Sequence, residues 1–435
     1  MNSSVFETDR HGWAELLSPR RVTQPISGEH RANWAVIGAG VTGLAAARRL
    51  AESRPGEEVV LLDAREVGQG ASGRNSGYAV AVSQFSGGLS AKELGEYRRV
   101  NRINHAGLAL LRERVEADNL TCQWREQGFY HAAADSRAQA ECHKFRQYLD
   151  ALDIAHTPLD QAELATRLGT ETYQSGVHVP EGALVQPAAL VRGLADTLPA
   201  NVRLHENSPV VRIDHGTPHR LLTPKGALLA DKVLLATNFE APKLGFLARR
   251  LSATTLSGSF TRILSEEERA SLGSLNDWGV LSLHSGGATV RLTTDGRISL
   301  RNTAEYRGGH LLSDTELAKR QATHRASFER RFPQLAHVPF EFAWSGVEGI
   351  SRNGTNFFGE MARNVFVAGG YNGSGVSRGT AFGHALADYA GGAENDLIND
   401  CLASVPASFI PPRPLLDIGA FFTISRRFRG VGLDR

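Results

Sequence analysis

Residues 32–78 read ANWAVIGAGVTGLAAARRLAESRPGEEVVLLDAREVGQGASGRNSGY. A short apolar run, Trp34 to Ile37, turns through Gly38, Gly40 and Gly43 into a helix-like segment, Leu44 to Glu52. A second apolar run, Val59 to Leu62, then ends on Asp63. A G-x-G-x-x-G carries meaning only in this strand–turn–helix–strand setting. Gly38 permits the tight turn, Gly40 lets a pyrophosphate approach the backbone, and Gly43 lets the helix pack close to the strand. The N-terminus of that helix, at Val41 and Thr42, offers unpaired N–H groups to phosphates. Asp63, with Ala64 and Arg65 after it, is placed to accept hydrogen bonds from an adenosine ribose. The stretch predicts a dinucleotide site and leaves NAD and FAD both open.

The whole chain narrows the class. Its 435 residues suit about three domains or, equally well, one large two-domain body, and 41% apolar residues can bury a sizeable core. A formal net charge of +2 predicts no nucleic-acid partner. Cys122, Cys142 and Cys401 are scattered, with no disulfide framework and no metal-ligand spacing. The N-terminus, MNSSVFETDRHGW, is polar and lacks the apolar centre of a signal peptide, so a cytoplasmic protein is expected.

Further along, residues 1–31 read as an extended arm, and Gly70, Ala71, Ser72, Gly73, Arg74, Asn75, Ser76 and Gly77 form a loop of small residues beside the predicted site. Apolar periodicity predicts a long, partly buried helix over 91–117, with Gly107 the weak point in its continuity, and residues 122–134 read as a strand pair around Gly128. Pro187 opens a helix, and an apolar strand runs into Thr237 and Asn238, where ligands bind in parallel sheets. Residues 246–345 alternate as an antiparallel sheet does, with Asp295-Gly296 as a hairpin turn and a helix over 314–331. A strand over 365–368 then feeds Gly370, Tyr371, Asn372, Gly373, Ser374, Gly375 and Val376, followed by a helix to residue 390. A second glycine-rich strand–turn–helix suits one elongated dinucleotide better than two separate ligands. The chain ends in ISRRFRGVGLDR, a basic amphipathic segment for which a peripheral membrane contact is one reading and packing on the body the other.

With these motifs in hand, the chain resembles the FAD-dependent D-amino-acid oxidase family, in the branch containing gamma-glutamylputrescine oxidoreductase. VIGAGVTGLAAARRL with VVLLDA resembles the family's FAD fingerprint, and GQGASGRNSG the branch signature after the second strand. SPVVRID resembles the segment whose backbone meets the adenine, through Val210, while WSG with Gly346 and FVAGGYNGSGVSRGTAFG resemble the flavin-side motifs. The resemblance implies FAD, held noncovalently, since neither WSGVEGISRNG nor GASGRNSGY supplies a linking Cys or His. It implies an α/β chain, α+β overall, with a Rossmann-like FAD-binding domain over 1–90, 175–245 and 345–400. An antiparallel-sheet substrate domain is expected over 91–174 and 246–344, and a tail over 401–435. Departures fall on the substrate side: Asn353 to Gly359 lack the branch's acid and proline, Ser374 stands where relatives carry His, and Arg301-Asn302 replace two glycines.

The implied reaction is oxidation of the C–N bond of an amine or amino acid by hydride transfer to flavin N5, the imine then being hydrolysed. No catalytic acid–base residue is obligatory for it. A carboxylate-bearing substrate expects a bidentate Arg. Arg301 and Arg291 are the candidates, with Tyr371 and Ser374 beside the flavin. Arg297, His284 and Tyr306 are weaker ones. Electrons pass to oxygen or to another acceptor. Alternatives are a flavin dehydrogenase of a hydroxy acid serving a quinone, and a flavoprotein with a mainly binding role.

Overall fold

The computed structural model describes residues 11–284 and 286–435; positions 1–10 of the expected arm lie outside the described residues. Gly28–Ile37 is a central strand of the first sheet, and its last four residues, Trp34 to Ile37, are all buried. Val59–Leu62 pairs with it in parallel on one side and Gly226–Leu235 on the other. Val202–His205 and Val365–Gly369 extend the parallel set outward, and Phe357–Ala362 closes one end antiparallel. Such strands are near-continuous apolar runs because helices or loops cover both faces. Chain order reverses at Gly28–Ile37, so a crevice opens beyond its C-terminal end, at Gly38.

Helices Val41–Ser53, Pro187–Asp196 and Gly375–Ala390 pack over one face of this sheet in a shared core with Ile103, Leu108 and Leu111 of helix Ala91–Ala117. A capping box between Ser90 and Glu93 starts that long helix, which runs over Ala91–Ala117 as expected and is continuous through Gly107. A Cβ there would overlap the Ser377 carbonyl oxygen, so Gly107 marks the crossing of two helices.

The second sheet runs, strand by strand, Phe340–Ile350, Ser252–Thr261, Ile298–Glu305, Thr289–Leu292, Trp278–Ser282, Phe129–Ala133, Ser175–Val179 and Thr157–Asp160. It is antiparallel except where Trp278–Ser282 meets Phe129–Ala133. The Asp295-Gly296 turn joins its strands as expected, with Gly296 at φ +82°. Helix Asp314–Arg331 lies on the sheet's outer side, burying Phe328 with Phe332 and Leu300.

Four expectations change. Residues 122–134 hold one strand, Phe129–Ala133, and Arg125 makes only an isolated bridge to Leu184. The expected limit at 175 assigns the whole of Ser175–Val179 to the FAD-binding domain, although it pairs with Phe129–Ala133 in the second sheet, and the limit at 345 cuts through Phe340–Ile350, which pairs along Ser252–Thr261. Helix Ala91–Ala117, assigned with the second sheet, joins the core of the first. The N-terminal segment is also more than an arm. Trp13 is fully buried, 4.6 Å from Phe260 and edge-on to it, and Arg20 binds Glu206 at 2.7 Å.

The C-terminus is tied down as well. Arg331 donates to the main-chain oxygens of Asp434 at 2.8 Å and Arg435 at 2.9 Å. Among the described residues, no helix is long and apolar enough to cross a membrane.

Burial raises the Asp434 carboxyl to about 6, against the pull of Arg331. An unfolded aspartate titrates at about 4, so between these values the folded chain holds a proton that the unfolded chain gives up. Stability from this group therefore falls as pH rises through that window. Asp434→Asn is expected to flatten the decline in melting temperature over it; an unchanged profile would contradict this.

Candidate active site

The site begins where the first strand ends. Gly38 stands at φ +101°, a conformation that side chains disfavour, and its N–H donates to the Leu62 carbonyl at 2.8 Å. A Cβ on Gly43 would overlap the Gly38 carbonyl oxygen, so helix Val41–Ser53 sits directly on the turn. Its N-cap, Gly40, brings no side chain to the first-turn N–H groups, of which Val41 N–H goes to Ser72 Oγ at 3.1 Å. Asp63 closes the turn: Oδ2 accepts the Ala39 N–H at 2.6 Å and Oδ1 the Arg65 N–H at 2.8 Å. Burial raises this carboxyl and those two amides pull it down. Each oxygen retains acceptor capacity for a hydroxyl.

The following loop is built as a brace. Arg74 is buried and donates from Nε to the Gln69 carbonyl at 2.8 Å and from Nη1 to the Ser345 carbonyl at 3.0 Å. Asn75 accepts the Gly77 N–H at 2.8 Å, and its carbonyl takes Trp13 Nε1–H at 2.7 Å. From the far end of the chain, Asn372 accepts the Ser351 N–H at 2.9 Å, and Asn238 Oδ1 accepts the Gly370 N–H at 3.1 Å.

These turns wall one cavity of about 2040 Å³. It runs from Asp63, Arg65 and Val210, past Gly40, Thr42, Ser72 and Thr237, to Gly373, Ser374 and Val376, and then over the second sheet. A small-molecule pocket is about 300–1,000 Å³, so the space suits a dinucleotide together with a substrate. Thr237 Oγ lines it and is buried without a hydrogen-bond partner in the protein, so it is an unfilled polar contact for a ligand. Gly38 to Val41, Ala64, Gly70, Ala71, Asn75, Ser76, Asn238, Gly346, Asn372 and Gly375 also line the cavity.

Other expected residues stand behind the wall. Gly43, Gly73, Gly77 and Gly370 do not line it. They are needed for packing: a Cβ would overlap the Gly68 carbonyl at Gly73, the Val185 carbonyl at Gly77, and the Phe357 ring, 2.6 Å away, at Gly370. Arg291, proposed for a substrate carboxylate, is 1% exposed, lies outside the cavity lining and donates to the Val185 and Gly77 carbonyls at 2.6 and 3.2 Å. Its strand faces it inward, over the Trp13 ring. Tyr371 lines the cavity, but its hydroxyl is 2.9 Å from Thr42 Oγ, so it offers ring rather than hydroxyl. Arg297 instead pairs with Asp295 at 3.2 Å and with Glu341.

On the cavity floor lie Leu256, Gly258, Leu281, Thr289 and Arg301, the last donating to Thr289 Oγ. Arg301 and Ser374 keep their expected position in the lining, as does His284, whereas Tyr306 lies outside it and accepts from Arg413 at 3.3 Å. Burial, with His178 nearby, lowers His131 in the same wall to about 4 and leaves it neutral near pH 7. Sequence reasoning missed Glu348. Strand alternation could have found it, because Trp344, Gly346 and Glu348 share one face of Phe340–Ile350.

A parallel sheet whose strand order reverses at a glycine-rich turn, opening through one cavity onto an antiparallel floor, has the architecture of a dinucleotide-binding protein. The chain belongs to the FAD dependent oxidoreductase (DAO) family, whose model matches residues 33–389, and FAD is its cofactor. It is 27% identical to gamma-glutamylputrescine oxidoreductase of Escherichia coli strain K12 over 382 residues, covering 85% of this chain and 86% of that one. It is also 27% identical to the probable oxidoreductase OrdL of Haemophilus influenzae, with 84% of each covered. Glycine oxidase from Geobacillus kaustophilus shares the fold with a TM-score of 0.70, at 21% identity over 84% of this chain and 96% of that one. L-Proline dehydrogenase from P. horikoshii does so with a TM-score of 0.69, at 16% identity over 85% and 96%.

Gly43→Val is expected to push the helix off the Gly38 turn, so that the variant purifies without flavin absorbance. Full flavin content in a folded variant would contradict this packing role.

Proposed function

We propose that the protein oxidises the C–N bond of an amine or amino acid to an imine, which water hydrolyses. The observation that carries this reading is Arg301 on the floor of the cavity that the two glycine-rich turns enclose. Bound FAD supplies the hydride-accepting ring, and the protein supplies binding, orientation and electrostatics. In this reading the Gly38–Thr42 turn faces the pyrophosphate, Asp63 the ribose, and Val210 the adenine. Gly346, Thr237 and the Asn372–Val376 turn hold the flavin half. Backbone N–H groups at the start of helix Gly375–Ala390 favour negative charge beside them.

Substrate orientation falls to the second sheet. Arg301 pairs along Gly258 and Glu348 along Thr254, so the two flank Leu256 from neighbouring strands of Ser252–Thr261. An anionic group meets Arg301 and a cationic one meets Glu348, leaving the reacting C–N bond over the apolar floor. The wall's imidazole at His131 stays neutral, and neutral amine is the form whose lone pair assists hydride departure. The similarity to gamma-glutamylputrescine oxidoreductase supports an amine-bearing substrate. The acceptor of the electrons is oxygen or a separate oxidant.

The test is anaerobic mixing with amines, D- and L-amino acids and hydroxy acids, followed by absorbance. Bleaching by an amine or amino acid supports the reading, and bleaching by hydroxy acids alone would replace it. With the substrate so found, Arg301→Ala is expected to raise KM about 10–100-fold, the scale of a lost charged hydrogen bond, at unchanged flavin content. Unchanged kinetics would remove Arg301 from substrate binding. No cysteine lines the cavity among the described residues, and we expect acid precipitation to release all the flavin into the supernatant. Yellow precipitate would overturn noncovalent attachment.

A further inference from the structure

We propose that the C-terminal helix Leu415–Phe428 is a docking surface for an anionic membrane, lying along the headgroups beside the cavity mouth. The helix is apolar on two sides. Leu416, Ala420, Ile424 and Phe428 recur every fourth residue and are half-buried, as a stripe packed on the body requires. On the opposite flank Leu415, Ile418, Phe421 and Phe422 are 61%, 52%, 66% and 62% exposed. Single exposed apolar side chains are ordinary, but a contiguous set on one helix face marks an interaction surface. Eight of the twelve large apolar side chains exposed among the described residues lie between Leu402 and Leu433. The feature is therefore local to this end of the chain.

Charge selects the occupant. Arg413 precedes the helix, Arg426 lies in its last turn and Arg429 follows it, and all three are exposed. Asp417 is the one carboxylate within the helix, and it stands 3.2 Å from Arg413. Apolar side chains bordered by Arg insert at a headgroup boundary whose surface is negative. A second copy of this chain would bring the same Arg side chains towards their own kind. At 14 residues the helix is about 21 Å long, short of a hydrocarbon core of about 30 Å, so it lies on the bilayer and does not span it.

The position of the surface gives the docking a consequence. Phe428, at the end of the helix, and Val405, before it, both line the cavity. Arg352, another lining residue, donates to the Phe409 carbonyl at 3.3 Å. Docking would set the mouth of the active site at the lipid boundary, open to molecules carried in or on the membrane.

The experiment is co-sedimentation of the full-length holoenzyme with phosphatidylcholine vesicles, with and without one-third phosphatidylglycerol, at low and high salt. Binding is expected to be about tenfold tighter to the anionic vesicles and to weaken with salt. The double variant Phe421→Ser/Phe422→Ser should lose about tenfold in vesicle binding while keeping its flavin spectrum and its melting temperature. Arg426→Gln/Arg429→Gln should lose the preference for anionic lipid and keep the same spectrum. Holoenzyme left in the supernatant at every composition would overturn the proposal. So would a concentration-dependent dimer that the Phe variant dissolves, which would assign the face to a second copy.

Discussion

Everything at the active site depends on how closely helix Val41–Ser53 sits against the turn that precedes it. No Cβ fits between Gly43 and the Gly38 carbonyl. That approach aims the helix N-terminus, and its unpaired N–H groups, at the crevice where the strand order of the sheet reverses. It also lets Asp63 reach back to the Ala39 N–H and lets Ser72 reach Val41. One contact between two backbones thus positions the turn, the acid and the next loop together.

The two sheets are then locked to each other through backbone carbonyls. Arg74 reaches across to Ser345, and Trp344 Nε1–H donates to the Arg74 carbonyl at 3.1 Å. Trp13, inserted from the N-terminal segment, fixes the same loop through Asn75 and stacks edge-on to Phe260. Buried donors satisfied in this way are costly to disturb, so they hold the wall of the cavity rigid while the lining stays free for ligand. Several residues that looked like ligand contacts are in fact part of this frame. Arg291 is the clearest, because its guanidinium is fully enclosed and its Nη1 bonds to main chain.

The fold was largely legible because its decisive signals are local. The glycine spacing after a strand, the period of helix Asp314–Arg331 and the Asp295-Gly296 turn each depend on a few neighbouring residues. What failed to show was pairing between distant segments. Ser175–Val179 carries no mark that sends it to the second sheet, since that choice is made by the open edge of Phe129–Ala133. Likewise, Gly107 reads as a weak point in its helix until a crossing helix is seen to need it. Of the candidate site, the glycine-rich turns that wall the cavity were visible and its floor on the second sheet was not. A strand shows which residues share a face but not what covers that face along its length: Arg291 and Arg301 share one, yet Arg291 lies under Trp13 and the Gly77 carbonyl while Arg301 reaches the cavity, and the same silence hid Glu348.

The central claim is that two glycine-rich turns, some 330 residues apart, enclose a single extended FAD. The most direct measurement is the absorbance spectrum of the purified protein, with the released cofactor identified and counted by chromatography. One FAD per chain, with the two absorbance bands of an oxidised flavin, is the predicted result. FMN, which lacks the adenosine half that the first turn is built for, or a nicotinamide cofactor in its place, would contradict the account.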